Sequence, residues 1–152
     1  MRFIQLLTAA LLFSSVHGCG NDGVQPDRSR IRIEVQVGGG FAGVAYSFRF
    51  EGQTGEIRGL TCERFCPFEA GEVLATLSGD DLDQLIQDIV DSGLPTMGTR
   101  NFGYGCCDQF TFRVRYQDGV RDADVEGDDF TLPPALNALV SRLVGLAHPN
   151  RQ

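Results

Sequence analysis

The chain has 152 residues, 42% of them hydrophobic and eleven of them Phe, enough for one modest domain with a single core. Its formal net charge of −7 repels nucleic acid and gains nothing from anionic lipid headgroups, so neither is expected as a partner. All thirteen basic residues are Arg, which excludes mechanisms that need a Lys Schiff base, a Lys general base or a P-loop Lys.

One basic residue, Arg2, opens the chain, and an apolar run from Phe3 to Phe13 follows, broken only by Gln5 and Thr8. At about eleven residues the run is too short for the roughly twenty that a membrane span needs, and it fits a cleaved export signal. It closes on Val16-His17-Gly18-Cys19, an aliphatic, a variable and a small residue before a cysteine. This tetrapeptide resembles the lipobox of bacterial lipoproteins. The resemblance implies cleavage before Cys19, diacylation of its thiol and attachment to a membrane of the cell envelope through that lipid. Gly20, rather than Asp, after the cysteine resembles the outer-membrane sorting pattern, with the domain facing the periplasm or the exterior. Residues 1–18 then form the signal, 19–30 the lipidated cysteine with a polar tether, and 31–152 a single domain.

Ile31, Ile33, Val35 and Val37 alternate with Arg32, Glu34 and Gln36, which predicts a half-buried strand. Val44, Tyr46, Phe48 and Phe50 predict a second in the same way, and Glu56 to Leu60 a short third. Between the first two, Gly38-Gly39-Gly40-Phe41-Ala42-Gly43 matches G-x-G-x-x-G. A dinucleotide site would need a helix to follow it, and a strand pattern follows instead, so a hairpin connection is expected. From Ser78 to Ser92 the period changes. Leu82, Leu85, Ile86, Ile89 and Val90 make one helical stripe, with Ser78 as N-cap, Asp80 and Asp81 in the first turn, and Gly93 at the end. Leu94 to Gln109 reads as a long Gly-rich loop in which Arg100, Phe102 and Tyr104 either contact a partner or, for the two rings, fold back onto the sheet beside a disulfide.

Residues 110 to 127 predict a hairpin. A two-residue Asp118-Gly119 loop sets Phe112 opposite Val125 and Val114 opposite Ala123, with Arg113 opposite Asp124 and Arg115 opposite Asp122 on the other face. Asp122 to Asp128 resembles the first half of an EF-hand loop, but Pro133 stands where the bidentate Glu belongs. Cross-strand pairing with the arginines is the expected role, with a weak cation site at Glu126, Asp128 and Asp129 as the lesser one. Pro133 and Pro134 open a last helix with Leu136, Leu139, Val140, Leu143 and Val144 on its buried face. His148, the one histidine after the signal, falls near a chain end expected to fray.

With Cys19 lipidated, Cys62, Cys66, Cys106 and Cys107 remain, an even number that suggests two disulfides in an oxidising compartment. Of the three connectivities, pairing Cys62 with Cys66 would leave adjacent Cys106 and Cys107 in a strained ring. The expectation is therefore crossed links between the two pairs. Four thiolates could instead hold zinc or run redox chemistry, but neither a spacing of three nor an adjacent pair suits those sites. The predicted order is β-β-β-α-β-β-α, an α+β fold with an antiparallel sheet of about five strands and two helices on one face. The expected function is a non-catalytic binding or structural module, lipid-anchored in the envelope, with an unidentified protein or small-molecule partner and neither cofactor nor metal. Thiol or metal chemistry at the four cysteines is the alternative.

Overall fold

The computed structural model describes residues 26–105 and 108–148. The signal, Cys19, the tether up to residue 25, Cys106 and Cys107 lie outside the described residues. The elements in chain order are β1 (Arg32–Gly39), β2 (Val44–Glu51), β3 (Glu56–Arg64), β4 (Val73–Thr76), α1 (Gly79–Asp91), β5 (Thr99–Asn101), β6 (Phe110–Gln117), β7 (Asp122–Asp128) and α2 (Pro134–Ala147). They form one seven-stranded sheet in the order β4-β3-β2-β1-β6-β7-β5. The expectation of about five antiparallel strands is thus corrected to seven strands in a mixed sheet. β5 runs parallel to β7, through Thr99 opposite Asp124 and Asn101 opposite Glu126. It consists of three exposed residues without apolar alternation. The β7 edge makes it a strand, by backbone bonds such as the Phe102 amide donating to the Glu126 carbonyl at 2.9 Å. β4, four residues along β3, is equally short of a period.

β1 is central, and its alternation sets the two faces. Ile33, Val35 and Val37 point to the dry side with Phe48, Phe50, Val114, Tyr116 and Val125, all buried. Both helices join the same core, α1 through Leu82, Leu85 and Ile89 and α2 through Leu136, Leu139, Val140, Leu143 and Ala147. Ser78 holds the N-cap position of α1 in extended backbone but makes no side-chain cap bond, and left-handed Gly93 follows its end. Arg142 of α2 bonds Asp88 of α1, tying the helices together.

The opposite face carries a ladder of charge. Glu34 lies between Arg49 of β2 at 3.9 Å and Arg115 of β6 at 3.5 Å. Arg115 reaches Asp124 of β7 at 3.6 Å, and Arg113 bridges Asp124 at 2.6 Å and Glu126 at 3.3 Å. Arg113 holds the Asp124 carboxyl below its usual range. Such half-exposed pairs contribute about 0–1 kcal/mol each, and they keep four strands' worth of solvent-facing side chains mutually compatible.

The β6–β7 hairpin keeps the predicted faces but not the predicted partners. Phe112 pairs with Gly127, Val114 with Val125, Arg113 with Glu126 and Arg115 with Asp124. The loop has four residues, 118–121, not two. Asp118 is the cause. It is buried, and its Oδ1 accepts from the amides of Val120 at 2.9 Å and Arg121 at 2.7 Å. Its Oδ2 accepts from the Tyr116 hydroxyl at 2.8 Å and the Arg121 Nε at 2.9 Å. A two-residue turn gives Asp118 no such cage.

Burial pushes the Asp118 carboxyl up, but the donors from Arg121, Val120 and Tyr116 outweigh it and bring it down to about 2. Since this lies below the ordinary 3.8, the ionised group adds stability above about pH 4 that is lost as pH falls through about 2. Asp118→Ala should cost on the order of 3 kcal/mol near neutrality by orphaning buried donors. Urea denaturation should show that cost shrinking as the pH drops from about 4 to about 2. A cost that does not change with pH would contradict this account.

Candidate functional site

The end of the sheet where β1 turns into β2 differs from the rest of the surface. Gly39, Gly40 and Gly43 all have positive φ, so the connection is a tight glycine turn, as the strand pattern after it required. It pushes Phe41 into solvent at 95% exposure. Phe65 follows the end of β3, Phe102 and Tyr104 follow β5, Phe110 begins β6 opposite Gly39, and Phe130 follows β7. These six are the exposed aromatic residues among those described, and all stand at this one end.

Two depressions flank the rim. On the charged face, a shallow basin of about 420 Å³ has Gly38, Ala45, Ser47 and Thr61 among its lining, with Tyr104 and Glu63 at its sides. The Tyr104 hydroxyl donates to Glu126 at 3.4 Å, and burial, with the Glu126 charge, raises its pKa. On the helix side, an open cavity of about 760 Å³ lies between α2 and the ends of β1, β2 and β6. Val37, Val44, Phe110, Phe112, Val144 and Leu146 supply apolar lining, and Asp129, Asn137, Ser141, Arg142 and His148 supply polar groups.

His148 is not frayed. Its ring lies edge-on to Tyr46 with centroids 5.0 Å apart and is stacked on Phe68 at 6.1 Å. Phe68 reaches that position because β3 has no side chain at Gly59, where an added Cβ would stand 2.4 Å from the Phe68 ring.

Of the predicted partner residues, Arg100 is exposed on β5 and its Nε donates to the Met97 carbonyl at 3.3 Å. Phe102 and Tyr104 are exposed on the rim. The segment holding them is less of a loop than expected, since a 3-10 turn at Leu94–Thr96 and β5 order its first half. Sequence reasoning missed Phe41, Phe65, Phe110 and Phe130. The one available signal was a phenylalanine inside a glycine turn, where no buried face exists for it.

Cys62 and Cys66 are each disulfide-bonded as expected, but the crossed connectivity is overturned. Cys62 is disulfide-bonded to Cys66, with Cα atoms 5.3 Å apart, so neither forms the crossed link to Cys106 or Cys107. Phe65, with φ +53, bends the chain back sharply enough to close this short loop. Two of the four thiolates of a zinc site are thereby consumed. The lesser cation reading also fails. Glu126 faces Arg113, and buried Asp128 accepts from the amides of Phe130 and Thr131 at 2.9 Å and from that of Gly105. The Gly105 amide is the main cause of its lowered pKa. Among the described residues no three His, Cys, Asp or Glu side chains are grouped to hold a metal ion.

No family model matches the chain, and no curated protein matches it.

Replacing both Cys62 and Cys66 by Ser should lower stability by about 2 kcal/mol, as loop-closure entropy gives for a ring this small. Gly59→Ala should displace Phe68 and cost on the order of 2 kcal/mol as an overpacked contact. Loss of ring-current shifts at His148 would report that displacement by NMR. Unchanged His148 resonances would refute the role given to Gly59.

Proposed function

We propose that this protein is a lipid-anchored envelope module that works by binding, without catalysis, and that its binding surface is the aromatic rim. The observation that carries this reading is the one-sided distribution of exposed rings. Exposed aromatics gathered on one surface favour recognition, because each ring buries a large area at little entropic cost. The chain enters β1 at Arg32, the end opposite the Gly39 turn. They are the two ends of this eight-residue strand, about 23 Å apart at the usual rise. A lipid on Cys19 would thus tether the domain by one end and present the rim away from the membrane. The packing of His148 between Tyr46 and Phe68 favours a structural over a catalytic role for that ring. The favoured partner is another protein.

Photo-crosslinking in intact cells tests the orientation and the surface together. A benzophenone side chain at Phe41 or Phe130 should trap a partner, and one at the equally exposed Val120, on the tether-side loop, should not. Equal trapping at both ends would sink the rim reading. Separately, Cys19→Ser should abolish lipid addition and move the protein out of the membrane fraction. A wild-type chain without lipid mass, fractionating like the variant, would remove the anchor.

A further inference from the structure

The cavity between α2 and the sheet shares Phe110 with the rim but carries an inference about a small ligand, not about a protein partner. We infer that it binds a small organic amine, with an apolar body between α2 and β1, β2 and β6 and a protonated nitrogen at Asp129.

Size and lining set the first condition. About 760 Å³ lies within the usual range for small-molecule sites, and mostly apolar walls with a few polar groups are their usual composition. Charge sets the second. Asp129 lines the cavity with its side chain part-exposed; Oδ1 is enclosed without a hydrogen-bond partner, and the residue's own backbone amide is the donor its carboxylate has among the described residues. Its neighbour Asp128, by contrast, is fully buried and supplied with backbone donors from other residues. The cationic side chain on the lining, Arg142, is turned to α1, where it bonds Asp88 and the Asp81 carbonyl. The side-chain amide of Asn137 donates to the backbone carbonyl of Asp129 at 2.9 Å, which fixes that residue against α2 without satisfying its carboxylate.

Arg142 being paired with Asp88, Asp129 is the charged group of this lining that no ion pair answers among the described residues. A carboxylate or phosphate ligand would meet like charge there, and an uncharged ligand would leave the Asp129 charge unanswered. A protonated amine supplies both the donor and the countercharge. Phe110, Phe112 and Tyr46 on the same lining supply aromatic surface for the apolar body of such a ligand. Burial, aided by Asp128, holds the Asp129 pKa above its ordinary value, and a bound cation would relieve that.

Three probes of one shape separate the possibilities: 4-phenylbutylamine, 4-phenylbutanol and 4-phenylbutyrate, titrated into the full chain by calorimetry and amide shift mapping. The amine should bind about tenfold or more tightly than the carboxylate, with shifts gathered on residues 141–148 and 129–130. Asp129→Asn should abolish its advantage over the alcohol. Gly145 lines the cavity and a Cβ added there meets no atom within 4 Å, so Gly145→Phe should fill the space, keep the fold and abolish amine binding. The inference is overturned by an amine that does not bind, or by an alcohol or carboxylate that binds as tightly. Amine affinity that survives Gly145→Phe in a folded variant, or an advantage that survives Asp129→Asn, overturns it as well. Crosslinking at Phe41, which does not line the cavity, keeps the rim reading separately testable.

Discussion

β1 is hydrogen-bonded along both edges, to β2 and to β6, so its period-two pattern fixes which side of the neighbouring strands is dry. Ile33, Val35 and Val37 commit one face to the helices, and Arg32, Glu34 and Gln36 commit the other to water. A slip of one residue in any pairing would set apolar side chains among the arginines and carboxylates. The charged ladder is the counterpart of the core in this sense. It adds little stability, yet it makes the wrong registers expensive by bringing like charges together.

Two buried aspartates close the two ends of the β6–β7 hairpin. Asp118 gathers amides from its own loop, and Asp128 gathers those of Phe130, Thr131 and Gly105. Each satisfies backbone donors that a polar loop against a protein surface would otherwise leave unpaired. Asp128 also draws the segment after β5 onto the end of β7. Through it, the loop bearing Phe102 and Tyr104 is held to the same end of the sheet as Phe110 and Phe130.

The parts of this fold that were legible in the sequence are those with a long, uninterrupted period. β1, β2, α1 and α2 appear close to their predicted limits, with Gly93 at the end of α1 and the paired prolines at the start of α2. β4 and β5 have too few residues to show a period, and only the partner strand makes them strands. The hairpin register went astray by two because Asp-Gly suits a tight turn locally, whereas the buried Tyr116 hydroxyl recruits Asp118 from outside the turn. Strain between adjacent Cys106 and Cys107 is visible in the sequence, whereas the ease with which a left-handed Phe65 closes the Cys62 loop is not, and the latter decides the pairing. As for the site, Phe102 and Tyr104 were recognisable from composition. The cavity was not, since its lining comes from residues more than a hundred positions apart.

The outermost strands of the sheet are its shortest, four residues in β4 and three in β5, the latter fully exposed and bearing Arg100. Such short outer edges shorten the ladder that two molecules brought edge to edge there can build. Crowding many copies together therefore meets a barrier to main-chain aggregation at these two strands. An assembly that avoids that barrier is written in side chains, which makes it specific, reversible and open to adjustment by single substitutions.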